Sequence, residues 1–286
     1  MRNLLSEIEV RMPTFSKGQK LISNYILENY DKAAYMTASK LGKIVHVSES
    51  TVVRFAIELG FDGYPEFQHA LQEIVRTRLT AAQRMEVTNI LMGDGDVLSK
   101  VLLGDAEKIK RTLEDIDEAA FEEAVQHLAN AKNIYILGVR ASSSLAGFLA
   151  HGLRMISDNV RFVQTTSGSE MFEQIMSIGE DDVMVAISFP RYSKRLKNAT
   201  SFAKHAGADV IAITDSTASP IAPSADQLLL AKSDMASFAD SLVAPMSIIN
   251  ALIVALSRVK QEELRVRLRL LEDIWDEYDV YDKNQG

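Results

Sequence analysis

From Asn133 onward the chain alternates short apolar runs with helical stretches, and this alternation leaves few folds open to it. Five runs read as strands: Asn133–Leu137, Val160–Val163, Asp182–Ile187, Asp209–Ile213 and Gln227–Leu230. Helical segments near 142–157, 168–177 and 194–206 separate the first four. Strands that alternate with helices predict a parallel sheet covered on both faces. The gap at 215–225 reads as a short loop containing Ser and Pro. Two helices, near 240–260 and 262–279, close the chain.

The first 80 residues carry a different pattern, with helical spacing and no strand alternation. Leu4, Leu5, Ile8 and Met12 mark a short first helix. Ser16 and Gln19 form a capping-box pair for a second, whose apolar face is Leu21, Ile22, Tyr25 and Ile26. A third runs from about Thr37 to Val45, with Leu41, Ile44 and Val45 inward. Ser48 caps a fourth and Gly60 ends it; Pro65 opens a fifth that runs towards Leu79. The expected organisation is an all-α domain over 1–80, a linker over 81–96, and a three-layer α/β domain over 97–286 with a parallel sheet. The linker reading rests on Gly93-Asp94-Gly95-Asp96, which breaks helix and lets Asp96 cap the next one. Helices near 97–114 and 118–130 then precede the first strand, and 286 residues suffice for two cores.

Composition narrows the chemistry. There is no cysteine, which excludes disulfides, thiolate zinc sites and a thiol nucleophile. No clustered His/Asp/Glu set, Walker A motif or nucleophile elbow is present, so neither a metal nor a cofactor is expected. The five histidines (His46, His69, His127, His151, His205) lie singly, without a loop carboxylate beside them, and no catalytic residue is assigned. The apolar stretch Leu242–Leu256 is interrupted by Pro245 and Asn250 and is too short to span a bilayer. Glu7 and Glu9 stand where a signal core would be, so a cytoplasmic protein without membrane attachment is expected. The formal net charge is −8. Residues 1–80 carry ten Lys/Arg against nine Asp/Glu, and the remainder 21 against 30, so the halves differ at +1 and −9. That asymmetry permits a nucleic-acid module on an acidic body.

The stretch Thr37–Phe61 fits a helix-turn-helix, with a tight turn at His46–Val47. On the helix that begins at Ser48, Val52, Phe55, Ala56 and Leu59 share one face. Ser50, Thr51 and Arg54 project from the other, near the N-terminal end that a recognition helix presents to base edges. Arg54 can hold a guanine bidentately, and Ser or Thr hydroxyls can reach bases or phosphates. Lys40 and Lys43 precede it where phosphate contacts belong. Spacing alone also accommodates an ordinary helical hairpin whose Ser and Thr only cap and solvate. The strings Val47-Ser-Glu-Ser-Thr-Val-Val-Arg-Phe55 and Leu59-Gly-Phe-Asp-Gly-Tyr-Pro-Glu-Phe67 closely resemble those of the RpiR-type bacterial transcriptional regulators. The resemblance implies DNA binding through Lys40, Lys43, Ser48, Ser50, Thr51 and Arg54.

In the α/β half, Ile136-Leu-Gly-Val-Arg-Ala-Ser-Ser-Ser144 and Ile187-Ser-Phe-Pro-Arg-Tyr-Ser193 each follow a strand and open a helix. Hydroxyls and backbone N–H groups at a helix start make a phosphate cradle, and carboxyl ends of parallel strands are where such sheets bind ligands. Plain helix capping would use the same residues. The pattern from Ile134 to about Leu230 looks like a sugar isomerase (SIS) domain, the sensor that follows the helix-turn-helix in RpiR-type proteins. The resemblance implies a phosphosugar held by Ser142, with Ser143 beside it, and by a second loop containing Ser188 and Ser193. That loop departs from the usual Ser/Gly-rich form. Pro190 removes a hydroxyl and an N–H, and Arg191 replaces a glycine. Arg191 therefore points to an anionic ligand, and Glu170 is a further candidate for sugar hydroxyls. The expectation is a metabolite-responsive regulator, homodimeric or higher, acting on a palindromic duplex operator. The alternative is a phosphosugar isomerase with an incidental helical N-terminus, with Glu170 as its base.

Overall fold

The computed structural model describes residues 4–78, 80–92, 95–234 and 239–281. The chain forms two compact units, Met1–Leu102 with Asp234–Asp240, and Leu103–Ser233 with Ser241–Gly286.

The first unit is all helical: α1 (Leu4–Arg11), a 3-10 turn Met12–Thr14, α2 (Lys17–Ala33), α3 (Ala38–Ile44), α4 (Glu49–Glu58), α5 (Tyr64–Arg78) and α6 (Ala81–Met92). The Ser16–Gln19 capping box forms as expected: Gln19 N donates to Ser16 Oγ at 3.4 Å and Ser16 N to Gln19 Oε1 at 2.8 Å. Its core is Ile8, Ile22, Ile26, Leu41, Val52, Phe55, Phe67 and Leu71. Phe55 anchors it edge-on between Phe15 and Phe67, at centroid distances of 5.3 and 5.8 Å. Two expected core residues lie outside. Leu21 is exposed because the inward stripe of α2 is Ile22, Ser23 and Ile26, and Ile44 is exposed on the same side of α3 as Lys40.

The stretch expected as a linker begins with a helix. In α6, Val87 joins the N-terminal core and Arg84, only 1% exposed, pairs with Asp240 at 2.9 Å. These contacts, not a local apolar face, hold it; Met85 beside them is exposed. Leu79, Gly93 and Asp94 lie outside the described residues. Asp96 caps the next helix, receiving Ser99 N at 3.3 Å.

That helix, α7 (Val97–Asp115), leads into the second unit. There follow α8 (Glu118–Asn130), β1 (Ile134–Gly138), α9 (Ala141–Ile156), β2 (Val160–Val163), α10 (Gly168–Ile175), β3 (Val183–Ile187), α11 (Lys194–His205), β4 (Asp209–Thr214), β5 (Gln227–Leu230), α12 (Val243–Val259) and α13 (Gln261–Glu277). The five strands pair in the order β2-β1-β3-β4-β5, all parallel. Ile134, Ile136, Val185 and Ile213 face a layer containing Leu128 of α8, Leu149 of α9 and Leu252 of α12. Tyr135, Leu137, Met184 and Ala212 face Met171 of α10 and Ala199 of α11. Two buried faces explain why the strands read as unbroken apolar runs. The apolar Leu242–Leu256 segment lies in the chain's own core through Ile248, Ile249, Leu252 and Leu256. No single helix among the described residues is long and apolar enough to cross a membrane.

Candidate functional site

In the first unit, α3 and α4 meet across a turn that only certain backbones can make. His46 sits at φ 57°, and Val47 N donates to the Gly42 carbonyl at 2.9 Å. A Cβ on Gly42 would stand 2.8 Å from the Val47 carbonyl oxygen, so this position needs the missing side chain. Ser48 then caps α4, its Oγ accepting from Thr51 N at 3.2 Å. Gly60, at φ 92°, closes α4 with Phe61 N bonded to the Ala56 carbonyl at 3.2 Å, a Schellman-type end.

The inward face of α4 is Val52, Phe55 and Ala56, followed by Leu59, all buried as expected. Ser48, Ser50 and Arg54 are exposed and Thr51 is half-buried. Ser48 Oγ bonds Ser50 Oγ at 2.9 Å and Thr51 Oγ1 at 2.8 Å, and Arg54 Nε donates to the Ser50 carbonyl at 3.2 Å. The hydroxyls are thus ordered at the helix start, with the Arg54 side chain following them. Lys40 and Lys43 are exposed on α3. A shallow groove beside this helix start is lined by Gly18, Gln19, Val47, Ser48, Thr51 and Arg54. Gln19 was expected only as a capping residue, and Arg11 was not singled out. Gln19 Nε2 bonds the Glu58 carboxylate and Arg11 Nη1 donates to the Glu58 carbonyl at 2.7 Å, which ties α1 and α2 to the end of α4.

The second unit places its two loops at a topological switch point. From β1 the chain runs outward to β2 and returns to β3 on the other side of β1, and open parallel sheets bind ligands beyond the carboxyl ends of two such strands. Gly138 and Ile187 are register partners there, so the loops that follow leave the sheet side by side. Ser142 is 7% and Ser188 3% exposed, Ser143 and Ser193 are half-buried, and Arg191 and Glu170 are exposed. Ser193 caps α11, accepting from Leu196 N at 3.5 Å, so its hydroxyl already has a helical role. Ser188 N donates to the Ile213 carbonyl at 3.0 Å and is spent on the sheet. Glu170 receives the Thr165 hydroxyl, and Ser167 Oγ accepts from its N–H at 3.5 Å.

Two side chains hold these loops and the backbone of a third residue shapes one of them; none of the three was singled out from the sequence. Tyr192 Oη donates to Asp215 Oδ1 at 2.8 Å, fixing the 188–193 loop to the end of β4. Arg195 Nη1 donates to the Thr166 carbonyl at 2.5 Å, joining the start of α11 to the loop that carries Glu170. Arg140 is the third. It precedes α9 at φ 59°, ψ −126°, and Arg191 stands at φ 62°. Both loops therefore hold an arginine in backbone space that favours glycine. The signal in the sequence was its spacing: Arg140 follows Gly138 by two residues, just before the Ser142–Ser144 run.

Residues 2–77 match the helix-turn-helix domain of the rpiR family and residues 127–255 match the SIS domain. An uncharacterised HTH-type transcriptional regulator of Haemophilus influenzae is 28% identical over 232 residues, 80% of this chain and 79% of that protein. The HTH-type transcriptional regulator HexR of Pseudomonas aeruginosa is 25% identical over 224 residues, 78% and 76% of the two chains. Among solved structures, the sugar isomerase domain of an RpiR transcription factor from Sphaerobacter thermophilus is 27% identical with a TM-score of 0.59, covering 61% of this chain and 97% of that one. The NanR protein of Vibrio vulnificus, solved with ManNAc-6P, shares the fold at 22% identity and TM-score 0.59, covering 96% and 99%.

Proposed function

The chain belongs to the RpiR-type transcriptional regulators, with a helix-turn-helix domain and a SIS domain, and from that premise we propose that it reads a palindromic operator as a homodimer and senses an anionic carbohydrate metabolite, foremost a phosphosugar. The observation that carries the reading is the pair of arginines, Arg140 and Arg191, on the two loops that follow β1 and β3. An arginine there supplies the positive charge that a phosphate or carboxylate requires in exchange for its water. The N–H groups at the start of α9 and α11 add oriented donors. On the first unit, Ser50, Thr51 and Arg54 are the base contacts and Lys40 and Lys43 the phosphate contacts. NanR, a structural relative, is known with a phosphosugar bound, which agrees with this ligand class.

Sensing needs no chemistry at the ligand. His151 and His205 are exposed on helices outside the two loops, and the Glu170 carboxylate accepts the Thr165 hydroxyl, which favours binding over proton transfer at this site. Coupling requires only that the ligand bind two arrangements of the protein with different affinity. The test is a thermal-shift screen of phosphorylated sugars and sugar acids, followed by binding of upstream duplex with and without each hit. A hit that raises the melting temperature and changes DNA affinity supports the reading. Turnover of a phosphosugar by the protein, with no effect on DNA affinity, would refute it in favour of an isomerase.

A further inference from the structure

We propose that α13 is the surface on which a second copy of this chain docks, helix against helix and antiparallel. The inference rests on the homodimer reading above and names the face that the dimer uses. α13 runs for 17 residues, about 25 Å at 1.5 Å per residue, and none of them is buried. One side is held by its own chain: Leu264 packs against the α/β core, Leu271 and Trp275 are half-buried, and Arg267 bonds Asp158 at 2.6 Å. The other side carries Val266, Leu270 and Ile274 at i, i+4 and i+8, exposed by 70%, 59% and 41%. Large aliphatic side chains aligned on one helix edge in water mark an interaction surface.

The occupant follows from charge. Arg265, Arg267 and Arg269 occupy the first half of α13, and Glu272, Asp273, Asp276 and Glu277 the second. At its start Glu263 is paired with Lys260 at 3.6 Å and Glu262 with Arg265 at 2.9 Å, and Arg267 is paired with Asp158, which leaves Arg269 to face the acids of the second half. A helix whose halves are oppositely charged complements its own copy when the copy runs the other way. With the twofold axis at Leu270, Val266 meets the partner's Ile274. Arg269 lies level with the partner's Glu272 and Asp273. A parallel pairing would instead set arginine against arginine. An isologous contact of this kind closes at two copies.

Sedimentation of the full-length chain decides the matter. Wild type should be a dimer, and Leu270→Glu should raise its dissociation constant by about a hundredfold with unchanged far-UV circular dichroism. Two charge variants sharpen the test: Arg269→Glu and Asp273→Lys. Each should self-associate less than wild type, and an equimolar mixture of the two should recover a heterodimer. A wild-type dimer that survives Leu270→Glu, or variants that do not pair when mixed, overturns the α13 face while leaving the dimeric reader intact. A wild-type monomer overturns both.

Discussion

A Cβ placed on Gly138 would stand 2.3 Å from the carbonyl oxygen of Ser142, so the end of β1 touches the backbone of the first turn of α9. This approach sets where the first ligand loop turns. Gly138→Ala should cost about 1–3 kcal/mol of the second unit's stability through overpacking. Urea unfolding followed by circular dichroism measures it. It should also weaken effector binding, because the start of α9 must move.

Arg191→Gly separates stability from binding. An arginine held at φ 62° costs about 1–3 kcal/mol of backbone strain that glycine does not incur. The variant should therefore melt at an equal or higher temperature than wild type and lose most of its thermal shift with an anionic ligand. Calorimetric titration of the hit checks the second half. A variant that melts higher and keeps full affinity would remove Arg191 from the site.

Tyr64 gives the first unit a signature at high pH. Its hydroxyl donates to the Met36 carbonyl at 2.8 Å, and burial pushes its pKa from 10.0 to about 12. A pKa raised in the folded state means stability that is complete below pH 10 and lost as pH climbs towards 12. Urea midpoints between pH 9 and 12 should fall more steeply for wild type than for Tyr64→Phe.

Much of this was legible in the chain because it depends on near neighbours. The capping box at Ser16–Gln19, the Ser48 cap, the Gly60 stop and the five apolar strands are all set by residues within a few positions of one another. The illegible parts rest on distant partners. α6 is tied down by Arg84 and Asp240, 156 residues apart, and its own sequence shows no single apolar face. The sequence marks Ser188 and Ser193 as ligand hydroxyls, and their residue types do suit that role. Helix capping, the other role the sequence left open, is one that Ser193 takes through Leu196, while Ser188's N–H bonds the distant Ile213 carbonyl in the sheet. Arg140 was hidden for another reason: its significance lies in its φ, which composition does not reveal.

The DNA-reading claim has distinct signatures for its two kinds of contact. Lys40→Ala should weaken all duplexes alike and lower the salt slope of binding by about 1. Arg54→Ala should cost about 1–3 kcal/mol and fall mainly on the cognate duplex.

The most direct measurement is fluorescence anisotropy of two labelled duplexes, one from upstream of the chain's own coding sequence and one shuffled, at a fixed salt concentration, with wild type and Arg54→Ala. The account predicts that wild type prefers the upstream duplex by about a thousandfold, that Arg54→Ala loses most of this preference, and that a stabilising phosphosugar changes it. Equal affinity of wild type for the two duplexes would contradict the account.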